Sequence, residues 1–71
     1  MSTAMAMHLQ PGDRIVIEAP ELEPFEAIVK MALGWGLVNG SMDIAMRRDD
    51  GTEFIYGIRY DMPVTVIEAA Q

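Results

Sequence analysis

Arg47 and Arg48 stand directly before Asp49-Asp50-Gly51, and Phe54, Tyr56 and Tyr60 follow closely. Two chemistries suit that grouping. A basic and aromatic surface grips phosphate and stacks on bases. Alternatively, the arginines pair with the carboxylates of their own hairpin. Consecutive strand residues point to opposite faces, so only one arginine can serve a given surface. Local pairing with Asp49, Asp50 or Glu53 is therefore the expectation. Asp49 to Glu53 also has the look of a calcium loop, but an EF-hand spreads its oxygen ligands over about twelve positions between two helices. Turn chemistry accounts for these residues better.

The remaining reactive side chains do not assemble into a catalytic set. His8 is the single histidine and there is no cysteine, so no transition-metal ligand set can be drawn. Ser2, Ser41 and the threonines have no base beside them. Glu21, Glu23 and Glu26 fall in an exposed loop that offers no burial to raise a carboxyl pKa. An enzyme is not expected, and neither a metal nor any other cofactor is implied.

Five basic residues against eleven acidic ones give a formal charge of -6. The acids concentrate at Glu18, Glu21, Glu23 and Glu26. Such a chain repels a phosphate backbone, which argues against nucleic acid as the partner and for a basic protein surface. The apolar run over 31–38 is far too short for a bilayer core of roughly 30 Å, so no membrane span is expected. The N-terminus has neither a basic region nor a long apolar stretch of the secretory kind. The lack of cysteine fits a cytoplasmic protein.

The elements that must position these groups are short. Pro11-Gly12-Asp13 reads as a turn, followed by a β-branched strand over 14–18. Residues 19–25 carry two prolines and lack periodicity, which predicts a projecting loop. Alternation over 26–33 predicts a strand with Ala27, Val29, Met31 and Leu33 on one face. Gly34 and Gly36 around Trp35 predict a kink or bulge that folds the indole over the core. Asn39-Gly40 favours a hairpin turn, leading into a strand over 42–48 with Met42, Ile44 and Met46 facing one way. Asp49-Asp50-Gly51 makes the second tight turn. Residues 52–59 form the next strand, with Phe54, Tyr56 and Ile58 inward, and 64–67 the last. Residues 1–7 read as a flexible lead-in, 8–69 as a single domain, and the tail from Glu68 as frayed.

Five strands, one long loop and two tight hairpins resemble the SH3-like small barrels, a group that includes SH3, Tudor and KOW domains. The resemblance covers residues 9–68, and Pro11-Gly12-Asp13-Arg14-Ile15-Val16 is similar to the opening strand of many such barrels. It implies an all-β, five-stranded SH3-like barrel. Proline-rich-peptide readers of that group carry two adjacent tryptophans, where this chain has Trp35 alone.

With an apolar share of 51% and no disulfides, a chain of 71 residues must draw its stability from packing or from association with another copy or partner. Simple alternation puts Val16, Ile28, Ile55 and Ile67 on outward positions, which makes them the expected interface of a homo-oligomer. Glu21, Glu23, Phe25, Glu26, Trp35 and Leu37 are the expected contacts to a basic partner. The leading expectation is a non-enzymatic protein-interaction module that associates with itself or docks on such a partner. A small acidic regulator that mimics nucleic acid is the second expectation. A weak nucleic-acid binder using Arg14, Lys30, Arg47 and Arg59 is the third.

Overall fold

The computed structural model describes residues 2–18, 21, 23–36 and 40–70, with Trp35 and Gly36 described in their backbone alone. Strands β1 (Ser2–Met5), β2 (Arg14–Ile17), β3 (Phe25–Gly36), β4 (Ser41–Arg47), β5 (Glu53–Arg59) and β6 (Pro63–Glu68) follow in order, with one 3-10 turn at Ala6–His8. All pair antiparallel in one sheet of order β1-β6-β2-β3-β4-β5. The protein is all-β, and its pairing is that of an open six-stranded sheet with β1 and β5 as edges. Among the described residues no helix is long and apolar enough to cross a membrane.

The tight turn between β4 and β5 is built from its own side chains. Gly51 takes a φ of 91° and donates its N–H to the Arg48 carbonyl at 2.9 Å. The Asp50 carboxylate accepts the Thr52 N–H at 2.9 Å. Gly40 also has a positive φ, of 69°, as its turn requires; Asn39, expected beside it, lies outside the described residues.

Both chain ends differ from expectation. Residues 2–5, read as a loose lead-in, are a strand: Ser2 pairs with Val66, Thr3 with Thr65 and Ala4 with Val64. Ala6 is fully buried and its N–H donates to the Met62 carbonyl at 2.9 Å. Ser-Thr-Ala-Met has no alternation of large apolar groups to read, and its order comes from the unpaired side of β6, which it satisfies. The tail is likewise fastened, because the Ala70 N–H donates to Asp13 Oδ1 at 2.6 Å.

One core lies inside the sheet, formed by Ile15, Ile17, Ala27, Val29, Met42, Ile44, Met46, Val64, Val66 and Ala6. Phe25, Phe54, Tyr56, Ile58 and Tyr60 pack against it half-buried. Among the described residues no second layer covers it, and the sheet must curl so that its inner residues meet one another. Met42 and Met46 are buried as expected.

Met31 and Leu33 are not; they are 53% and 49% exposed. The register of β3 on β4 shifts between Val29 and Met31 and again between Ala32 and Gly34. Each shift inserts a residue and reverses which positions face inward. Val29 faces Met46, but Met31 faces Ala45, and it is Ala32 that lies opposite the buried Ile44. The glycine-marked bulge therefore exists, at Leu33, two residues before Trp35, and a second one at Lys30 precedes it.

Candidate interaction surface

The outer face of β3, β4 and β5 is ordered in cross-strand rows. Ile28, Arg47 and Glu53 form one row, Met31, Ala45 and Ile55 the next, and Gly34, Asp43 and Gly57 the third. The second row is apolar, and its two large members are exposed, Ile55 reaching 64%. Ala45 and Ile55, together with Leu33 and Lys30, border a shallow depression of about 270 Å³. In the third row the glycines leave the Asp43 carboxylate bare on both sides; a methyl group at Gly57 would sit 3.4 Å from Asp43 Oδ1.

Ion pairs frame that face. Lys30 Nζ lies 2.7 Å from Glu53 Oε2, and Arg59 Nε 3.2 Å from Asp61 Oδ1. Arg14 Nη1 reaches Asp49 at 2.9 Å and Glu26 at 3.3 Å, tying β2 to the β4–β5 turn and to β3. The Lys30 hydrogen bond, then its charge, holds the Glu53 carboxyl below its usual value, with Arg47 adding a smaller pull. The Thr52 hydrogen bonds lower Asp50, and the Arg48 charge adds to them. Hydrogen bonding to Asp49, followed by its charge, raises Arg14.

The two adjacent arginines part as strand geometry demands. Arg47 faces Glu53 across the hairpin. Arg48 instead lays its guanidinium over the Phe25 ring, 4.5 Å from the centroid, and Phe25 meets Phe54 edge-on at 5.8 Å. Asp49, one of the three carboxylates expected to pair with the two arginines, is taken instead by Arg14, 35 positions before it.

Of the expected partner contacts, Glu21 and Glu23 are exposed, Glu26 is bound to Arg14, and Phe25 is packed between Arg48 and Phe54. The Trp35 side chain and Leu37 lie outside the described residues. Of the expected interface residues, Val16, Ile28 and Ile67 are half-buried and Ile55 is exposed. The four do not form one apolar set: Ile28 lies between Arg14 and Arg47, and Val16 opposite Glu26. Ile55 is joined instead by Met31 and Ala45. A charged Lys30 inside the apolar run 27–33 was the available signal that alternation changes there.

Across the curl, the inner side of β5 faces β2 and β6 over a cleft of about 420 Å³. Tyr56 and Ile58 line one wall, Val16, Ile17, Pro63 and Val64 the other, and Thr3, Glu18 and Thr65 supply polar groups. No protein-family model matches the chain, and neither a curated protein nor a solved structure matches it.

Proposed function

We propose that the protein is a non-enzymatic interaction module, a small SH3-like curled sheet that docks on a protein surface carrying basic and apolar groups. The SH3-like reading draws support from β6, which returns beside β2 and lets five strands wrap one core. The observation that carries the function is the apolar row Met31-Ala45-Ile55 on the outer face, set beside the acidic groups Asp43 and Glu53. Apolar area at the centre with charge at its rim is the anatomy of a protein contact. Glu21 and Glu23 would add long-range attraction for a basic partner.

Nucleic acid fits less well. Arg14, Lys30 and Arg59 each face a carboxylate of this chain, so phosphate would have to displace an internal partner at each. The test is a titration with an amphipathic lysine-leucine peptide beside single-stranded and duplex oligonucleotides. The expected result is salt-sensitive peptide binding, weakened by Met31→Ala and by Glu21→Lys/Glu23→Lys, with no oligonucleotide binding. Oligonucleotide binding without peptide binding overturns the reading.

A further inference from the structure

The open edge of β5 has a specific backbone pattern. Tyr60 N–H donates to the Gly40 carbonyl at 3.0 Å and Arg48 N–H to the Thr52 carbonyl at 2.8 Å. Between those two points β4 and β5 run in unbroken register, Ser41 opposite Arg59 through Arg47 opposite Glu53. Bonded and non-bonded pairs alternate in an antiparallel ladder. Phe54, Tyr56 and Ile58 therefore turn their backbone groups to β4. Glu53, Ile55, Gly57 and Arg59 turn theirs to the free edge, and among the described residues no proline, bulge or further strand blunts it.

We propose that β5 pairs antiparallel with β5 of a second copy about a two-fold axis at Tyr56, so that Glu53 of each copy faces Arg59 of the other and Ile55 faces Gly57. In that register every edge-facing residue meets an edge-facing residue, and each pair exchanges both backbone hydrogen bonds. Each Ile55 covers the bare backbone of the other copy's Gly57. The apolar row Met31-Ala45-Ile55 then runs across the axis into the Gly57-Asp43-Gly34 row of the second copy, and the two Ile55 side chains lie diagonally on either side of the axis.

The charges select this arrangement, in which Glu53 and Arg59 turn from their exposed partners within the chain, Lys30 and Asp61, to each other. A shift of two residues in one direction leaves both Glu53 and Arg59 opposite glycines, Gly57 and Gly51. The opposite shift brings Glu53 against Asp61. Parallel pairing would set Glu53 beside its own copy. The other sheet edge, β1, offers only Ser2, Thr3, Ala4 and Met5, none of which answers Glu53 or Arg59. A closed two-fold dimer with both β5 edges satisfied is the outcome.

Such a dimer goes beyond the docking proposal and uses neither the acidic loop nor a foreign partner. The experiment is sedimentation equilibrium on the full chain over a wide concentration range. Wild type should dimerise. Glu53→Arg and Arg59→Glu should each weaken the dimer about tenfold or more, because each places like charges opposite one another twice. An equimolar mixture of the two variants should recover dimer, since the arginines of the first variant then face the glutamates of the second at both positions, and circular dichroism reports whether each variant is folded. In wild type, amide exchange of Ile55 and Gly57 should slow as concentration rises, whereas that of Phe54 and Tyr56 should not. A wild-type monomer throughout, or a dimer indifferent to both reversals and lacking that exchange pattern, overturns the proposal. Peptide binding that survives in a monomer would leave the docking proposal standing without it.

Discussion

Asp13 and Ala70, 57 residues apart, are joined by a hydrogen bond of 2.6 Å from the Ala70 N–H to Asp13 Oδ1. The other oxygen accepts the Gln10 N–H at 2.8 Å, and the Asp13 carbonyl accepts the Val29 N–H at 2.9 Å. One buried carboxylate, 6% exposed, thus fastens the first turn and the tail, while its own backbone fastens β3.

Replacing that carboxylate should be costly. Asp13→Ala strands two N–H donors in a half-buried site, and about 1–3 kcal/mol of stability should be lost. In a domain of this size that corresponds to a fall in Tm of about 4–8 °C per kcal/mol. Asp13→Asn keeps one acceptor, and its loss should be smaller than that of Asp13→Ala. Thermal and urea unfolding measure both, and an unchanged midpoint for Asp13→Ala would refute the role.

Gly12 and Gly51 separate backbone from packing. Both have positive φ, 98° and 91°. A Cβ at Gly12 would lie 3.3 Å from the Ala70 Cβ, whereas one at Gly51 meets nothing within 4 Å. Each Gly→Ala change should cost about 1–2 kcal/mol for the left-handed conformation. Gly12→Ala should cost more, and Ala70→Gly should remove only that excess in a double-mutant cycle.

The bulges in β3 make two methionines unequal. Met46→Ala empties a fully buried site and should cost about 2–5 kcal/mol. Met31→Ala, on the exposed row, should change the monomer by less than about 0.5 kcal/mol. Equal losses at both positions in urea unfolding would mean that β3 keeps simple alternation.

The Lys30–Glu53 pair sets a pH dependence whose sign is fixed. The folded-state pKa of Glu53 lies below the ordinary 4.5, so the associated stability is present above that value and is lost as pH falls through the folded pKa. Both side chains are exposed, so the effect is small. Lys30→Ala should move the Glu53 carboxyl resonance titration upward toward 4.5 and flatten the acid limb of stability. A Glu53 titration unchanged by that substitution would exclude the pair.

Much of the strand content was legible because β-branched residues and turn residues carry it locally. Ile15 and Ile17 alternate inward, Gly51 demands its turn, and Phe54, Tyr56 and Ile58 face the core as their spacing says. What alternation could not yield was anything decided by a distant partner. β1 exists because β6 has a free side, Arg14 rather than Arg48 claims Asp49, and the shifts at Lys30 and Leu33 are set against β4. The candidate surface inherits that limit, since Met31 reaches it only through a bulge. Ile55, on a strand without register shifts, was placed by its own sequence.

The pairing of Ser2 with Val66 also has a consequence in time. β1 leaves a ribosome before the other five strands described and can find its neighbour only after β6 has been made, and the Asp13 carboxylate waits for Ala70 in the same way. Folding that depends on such distant meetings is slow, because loop-closure entropy must be spent before any contact returns it. During synthesis the turn from β4 to β5 can form on its own residues, but the sheet cannot close its β1 side until β6 has emerged.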